Sequence, residues 1–283
     1  MPEERLTLRE IEELGYYDFM GYLGVPFFNV GGISSIDRLV ELCGIGEGSE
    51  VLDVGCGTGG NACHIARSSG CRVVGVDIAE HMVEEAQRRA EAEGLAGRVR
   101  FMVGDAYELD FQDGSFDAVV TVFASQFLDP VRAFPEFFRV LRPGGRLGIN
   151  EMSVADEAPQ EIARRVEEGE TLFRELTGLP FSIRADGEWR THFESAGFAD
   201  ILAEAYTETK GMSYAWRTVA EYGGLTKFMG ILSEMIALAA KSGRIRKKLS
   251  DIDRAKRILL RDKAVSEYVG YMLCVGSKPA TPE

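Results

Sequence analysis

Histidine is scarce in this sequence and cysteine is isolated. The three histidines, His64, His81 and His192, are scattered, and the five cysteines, Cys43, Cys56, Cys63, Cys71 and Cys274, form no C-x-x-C pair. That pattern excludes the usual spacing of a structural zinc site, and no metal is expected. Isolated cysteines in odd number read as reduced thiols packed in a core. No apolar run reaches the ~20 residues of a membrane-spanning helix. The opening Met-Pro-Glu-Glu-Arg lacks the apolar core of a secretion signal, so the cytoplasm is the expected location. Positive charge is also short. With 32 Lys and Arg against 45 Asp and Glu the net charge is −13, which argues against nucleic acid as the main partner. One segment runs against this balance. Lys241 to Lys263 holds ten basic and three acidic residues, a local excess of +7. It reads either as a solvated, ion-paired helix face or as a docking surface for an anionic partner.

What is present centres on residues 50–60, Glu-Val-Leu-Asp-Val-Gly-Cys-Gly-Thr-Gly-Gly. Val51, Leu52 and Val54 form the short apolar run of a strand buried on both faces. Gly55, Gly57 and Gly59 then alternate through a turn, and Asn61 to Arg67 follows with helical spacing. Glycine permits positive φ and close approach of the backbone to a ligand. Amides at the start of a helix offer free donors. This is a nucleotide-cofactor cradle. Gly55, Gly57 and Gly60 also satisfy G-x-G-x-x-G, with Asp77 near the distance of a ribose-binding acid, so the stretch by itself fits NAD.

Three further features point elsewhere. Asp53 sits inside the first strand, Asp105 in Val-Gly-Asp-Ala ends a third, and Leu-Arg-Pro-Gly-Gly (141–145) precedes another. In this order the residues resemble the class I S-adenosylmethionine (SAM) methyltransferase family, continuously over about 45–151. The small-molecule enzymes are the similar ones: ubiquinone/menaquinone C-methyltransferases and sterol or amine methyltransferases. The resemblance implies an α/β, Rossmann-like doubly wound sheet of seven strands with the last antiparallel. It implies SAM as cofactor and S-adenosylhomocysteine as product. It places Asp53, Gly55, Cys56, Gly57 and Gly59 in the cofactor loop. Asp77, followed by Ile78, would accept the ribose hydroxyls, and Met82 would form an apolar wall of the adenine pocket. Gly104, Asp105 and Ala106 would read the adenine edge. Phe123 and Gln126 would lie at the end of strand four, where ligands bind in such sheets, with Gln126 orienting the acceptor or capping the next helix. Glu151, closing strand five, would hold a substrate amine, act as a base or pair with a basic neighbour. Tyr17 is the candidate on the substrate side from the N-terminal arm.

A sulfonium activates its own methyl group, so no nucleophile triad is expected. Orientation of the acceptor contributes about 7–11 kcal/mol in reactions of this kind. The resemblance implies a small, apolar or amphipathic acceptor and leaves a homodimer open. Two rivals keep their own tests. A SAM-binding regulatory protein without turnover retains the same loop, and label transfer from SAM separates it. An NAD-dependent oxidoreductase is separated by binding of NADH against S-adenosylhomocysteine.

At 283 residues one large domain with elaborations is expected. Residues 1–30 read as a helical, aromatic arm, with Phe27 and Phe28 among its rings. Ser34 or Ser35 is expected to cap a helix ending at Gly44. Strands are expected at 50–54, 72–77, 99–103, 117–122, 146–150, 201–207 and 269–275. Helices are expected at 60–69, 79–93, 130–141, 156–178 and 189–196. The cofactor domain would comprise 31–211 and 266–278. Residues 212–265 would form a helical cover over the acceptor site, with Trp216, Val219, Tyr222, Phe228, Ile231, Met235 and Leu238 on its apolar face.

Overall fold

Alternation along the central strands sets the layers. In β1 (Glu50–Val54), Val51 packs among α3 (Gly32–Cys43), α4 (Gly60–Ser69) and α5 (Glu80–Ala92). Leu52 and Val54 pack on the opposite face with α6 (Pro130–Val140) and α8 (Asp186–Ser195). Successive side chains on a strand point to opposite faces, so two apolar cores sandwich the sheet. The computed structural model describes residues 6–24, 31–207 and 224–280.

The remaining strands are β2 (Arg72–Asp77), β3 (Val99–Val103), β4 (Phe116–Val122), β5 (Leu141–Val154), β6 (Arg184–Ala185), β7 (Ala199–Tyr206) and β8 (Val269–Ser277). The order is β3-β2-β1-β4-β5-β8-β7, and β6 pairs with the far end of β5. The first five strands run parallel, while β8 is antiparallel to both β5 and β7. The expected sheet is therefore present, with an eighth, two-residue strand that carries too little pattern to be read from sequence. The order reverses between β1 and β4, and this switch point opens the crevice where such sheets bind ligands.

One cap differs from expectation. α3 begins at Gly32, with Gly31 as its N-cap. Ser34 and Ser35 lie inside the helix, their hydroxyls donating back to the carbonyls of Gly31 and Gly32. Gly44 ends α3 in the left-handed conformation, φ 65°, as its position implied.

A third apolar layer lies outside the sandwich. It joins α1 (Leu8–Glu13), α2 (Tyr16–Tyr22), α7 (Gln160–Thr177), α9 (Leu225–Lys241) and α10 (Gly243–Lys256). Ser242 caps α10, its Oγ accepting from the Ile245 amide at 3.1 Å. Lys248 of α10 donates to the carbonyls of Leu14 (2.6 Å) and Glu12 (3.3 Å), fastening the end of α1 to α10. In the basic stretch, Arg244, Lys247, Arg254, Arg257 and Arg261 pair with carboxylates of the same chain. Ile231, Met235 and Leu238 of α9 pack in the third layer. Phe27, Phe28, Trp216, Val219 and Tyr222 fall outside the described residues. No helix among the described residues is long and apolar enough to cross a membrane.

Candidate functional site

The loop after β1 takes glycine at three places, in two different kinds of surroundings. Gly55, Gly57 and Gly59 all take positive φ, at 74°, 51° and 74°. A Cβ on Gly55 would overlap Ala124 Cβ. A Cβ on Gly59 would lie 2.6 Å from Phe101 Cζ and 2.9 Å from Ala86 Cβ. A Cβ on Gly57 would meet nothing within 4 Å. Gly55 and Gly59 are thus held by packing, and Gly57 stands beside open space.

The same loop is bonded to the end of β2. The Gly55 and Cys56 amides both donate to the Val76 carbonyl, at 2.8 and 3.1 Å. The Gly57 amide donates to Asp77 Oδ2 at 2.8 Å, and the Ala79 amide to Asp77 Oδ1 at 3.0 Å. Asp77 therefore ties loop, strand and the start of α5 together. Burial raises its pKa, and the amides of Ala79, Gly57 and Ile78 pull the other way. Each oxygen accepts one of these bonds, and a carboxylate oxygen can accept two. α4 starts at Gly60 without a side-chain cap, and the first-turn amides of such a helix start are free to meet a ligand.

These elements wall a cavity of about 360 Å³ at the carboxyl edge of the sheet, the volume of a small-ligand site. Its walls follow the strand order. Gly104, Asp105 and Ala106 come from the end of β3, Asp77 and Ile78 from β2, the glycine loop from β1, and Phe123, Ala124 and Phe127 from β4. Leu179 and Pro180, after α7, complete the β4 side. Tyr17 of α2 reaches the wall from the arm. α2 also crosses the loop, where the Cβ position of Gly21 lies 3.6 Å from Thr58 Cγ2 and 3.7 Å from Met82 Sδ. Burial pushes the Tyr17 phenol well above its ordinary pKa, so it stays neutral near pH 7.

The β4 side is aromatic. Phe127 lies 5.7 Å from Tyr17, 6.0 Å from Phe123 and 5.2 Å from Phe181, centroid to centroid. Phe173 of α7 stacks behind, 4.5 Å from Phe181. Phe123 itself holds φ 56°, a rare conformation for an aromatic residue. The acids are at the other end, and among the described residues no Lys, Arg or His lines the cavity.

Asp53 is not on the wall. Alternation turns it into the α3–α5 core, fully buried, with neither oxygen hydrogen-bonded. Burial, with the charge of Asp77 behind it, pushes its carboxyl up to about 7. Asp77 and Asp105 with no basic neighbour among the described wall residues, the uncapped first turn of α4 and the gap beside Gly57 fit a ligand that carries positive charge and a ribose.

Most of the residues expected to hold a cofactor come together here. Gly55, Cys56, Gly57, Asp77, Ile78, Met82, Gly104, Asp105, Ala106 and Phe123 line the cavity, whereas Asp53 and Gly59 support it from behind. Among the three residues expected to meet the acceptor, Tyr17 alone is on the wall. Gln126 is buried, with Oε1 accepting from the Met152 amide at 3.3 Å. It does not cap the next helix. Asp129 does, accepting from the Val131 amide at 3.0 Å. Glu151 lies behind the turn at 123–126 and off the wall. Nor does the described part of 212–265 contribute to the wall; α7 and the segment after it stand there instead. Thr58, Asn61, Tyr107, Phe127, Leu128, Leu179 and Pro180 are wall residues that the sequence did not mark. Phe127 sat beside a marked stretch, but Leu179 and Pro180 carry no motif.

Comparison with known proteins adds an independent line. Residues 51–145 match a family model described as a methyltransferase domain. An O-methyltransferase of Aspergillus nomiae is 33% identical over 169 residues, 59% of this chain and 72% of that protein. A sterol 24-C-methyltransferase of Aspergillus fumigatus is 37% identical over 163 residues, 56% of this chain and 42% of that protein. The chain thus spans less than two thirds of the length of the sterol methyltransferases it is compared with, from 30% to 57%. Among solved structures, the 4+2 cyclase SpnF shares the fold with a TM-score of 0.65 at 23% identity, over 88% of this chain and 81% of that one. A shared fold does not choose the reaction.

Proposed function

The chain belongs to the class I SAM-dependent methyltransferase family, and on that premise we propose that it methylates a small, neutral, apolar or amphipathic acceptor. One observation carries the reading. The cavity has acids at one end, aromatic and aliphatic side chains at the other, and no basic side chain among the described residues of its walls. Such a chamber suits a cationic cofactor next to an acceptor without negative charge.

When bound, SAM supplies an electrophilic methyl group on a sulfonium. Asp77 would hold the ribose with the lone pairs its amide bonds leave free, and Asp105 with the Ala106 amide would hold the adenine edge. Gly57 leaves room for the ligand against the loop. The chain's own work is then orientation and exclusion of water. Phe123, Phe127, Leu179 and Pro180 give the acceptor a rigid apolar wall, and Tyr17 closes it from the arm with a neutral phenol. Among the described wall residues none is poised as a strong base, so the acceptor supplies its own nucleophilic electron pair.

The test is incubation with methyl-labelled SAM and two fractions of a cell extract, one neutral and apolar, one anionic. Label should enter the neutral apolar fraction, and S-adenosylhomocysteine should bind in calorimetry while NADH does not. Label confined to the anionic fraction would overturn the acceptor class. S-Adenosylhomocysteine binding without transfer to any fraction would leave a cofactor-binding protein without turnover. NADH binding without S-adenosylhomocysteine binding would overturn the cofactor.

A further inference from the structure

Glu151 is a carboxylate at the active edge of the sheet that nevertheless does not face the cavity. It is 1% exposed and stands one residue beyond the last pairing of β5 with β4, at Asn150 and Val122. Its Oε1 accepts three hydrogen bonds: from the Ser125 amide at 2.8 Å, the Ala124 amide at 3.0 Å and the Thr121 hydroxyl at 3.1 Å. Oε2 is buried without a partner. A general base must reach the proton it removes, directly or through one water. Here Glu151 is off the cavity wall and its Oε1 is already occupied by two backbone donors.

The turn that Glu151 holds is the strained one. Phe123, at φ 56°, immediately precedes Ala124 and Ser125. An aromatic residue stays in this region only where its surroundings over-determine it. Three anchors do so. The Phe123 amide donates to the Asn150 carbonyl at 2.9 Å, and Glu151 takes the next two amides. A fourth contact, 2.7 Å between the Thr121 and Ser125 hydroxyls, closes the ring around Oε1. The turn has two working faces. Phe123 and Phe127 form the aromatic wall, and Ala124 presses on Gly55 so closely that no side chain fits there. A shift of this turn would move the acceptor wall and the back of the cofactor loop together.

We propose that Glu151 is a positioning residue: by accepting the Ala124 and Ser125 amides it holds Phe123 in the left-handed conformation and so aligns the aromatic wall with the glycine loop. The alignment has a catalytic meaning only under the methyltransferase reading above, but the backbone role stands on geometry alone. Burial pushes the Glu151 carboxyl up to about 7, against the pull of these same donors, so its charge is costly here and its acceptor oxygen is what the turn uses.

Two conservative variants separate reach from charge. Glu151→Gln removes the charge and keeps an acceptor oxygen at the same reach. Glu151→Asp keeps the charge and withdraws the oxygen by one methylene. Hydrogen exchange of the amides at 123–126 is measured in the ligand-free protein, and S-adenosylhomocysteine affinity by calorimetry. Glu151→Gln should match the wild type in both. Glu151→Asp should speed exchange at Ala124 and Ser125 and weaken S-adenosylhomocysteine, each by about tenfold, the loss expected for one buried hydrogen bond. If Gln is impaired as much as Asp, or Asp behaves as wild type, the proposal is overturned. Failure of the wild type to bind S-adenosylhomocysteine would sink the cofactor reading instead, while the exchange comparison would still decide the role of Glu151.

Discussion

Alanine substituted in turn at Gly55, Gly57 and Gly59 should give two distinct phenotypes, although all three residues have positive φ. At Gly57 the added Cβ meets nothing within 4 Å, so the free protein pays only for left-handed backbone. That costs about 1–2 kcal/mol. At roughly 2–4 °C per kcal/mol for a chain of this size, Tm should fall by about 2–8 °C. At Gly59 the same strain is joined by contacts of 2.6 and 2.9 Å with Phe101 and Ala86, and at Gly55 by overlap with Ala124. Overpacking of this kind adds about 1–3 kcal/mol. Gly55→Ala and Gly59→Ala should therefore melt well below Gly57→Ala. The order reverses for binding per folded molecule. Gly57 is part of the cavity wall, and one carbon forced into a close-packed contact with ligand costs about 1–3 kcal/mol. That is about 5- to 150-fold in Kd. Scanning calorimetry with and without S-adenosylhomocysteine, followed by titration calorimetry, reads both. If Gly57→Ala binds within twofold of wild type, or melts below Gly55→Ala, the division of roles among the three glycines is wrong.

Asp77→Ala should weaken S-adenosylhomocysteine at least about tenfold, because hydrogen bonds to a charged group are worth about 1.5–3 kcal/mol and both ribose contacts and the Gly57 anchor are lost; Asp77→Asn, which keeps one carbonyl, should fall between, and an unaltered Kd in the alanine variant would mean the ribose is held elsewhere. Asp53 should make the ligand-free protein less stable as pH rises. Its folded pKa of about 7 lies above the ordinary value of 3.8, so the folded state keeps a proton that the unfolded chain has released. Stability is then full below about pH 4, falls by up to ~4 kcal/mol between about pH 4 and pH 7, and is flat above. Glu151 adds a similar slope, and Asp53→Asn should remove only the Asp53 share in urea melts run at several pH values; an unchanged slope in the variant refutes the assignment. Lys248→Met should release the arm, raising hydrogen exchange in 8–22 while leaving 50–77 as in wild type, since Lys248 holds the Glu12 and Leu14 carbonyls; unaltered exchange in 8–22 would show that α2 is held by its packing alone.

The sequence by itself determined the sheet and the residues gathered at its carboxyl edge. Both are local: a short apolar run, a glycine turn and an acid at the next strand end each announce themselves within a few residues, and Gly55, Asp77 and Asp105 meet because parallel strands bring their carboxyl ends to one edge. The identities at 50–60, however, could not say which glycine faces ligand and which faces Phe101, since that depends on what packs against the loop from 40 residues away. Nor could they aim Glu151. Being next to the end of a parallel pairing puts it at the active edge, but only the path of the turn after β4 brings the Ala124 and Ser125 amides onto its carboxylate. Leu179 and Pro180 were invisible for the same reason. Their place on the wall comes from α7 crossing the β4 side of the cavity, with Glu170 accepting the Ile183 amide at 2.6 Å to fix the segment that follows. The aromatic side of the cavity is built from elements distant in sequence and joined by generic apolar packing, which leaves no pattern along the chain to read.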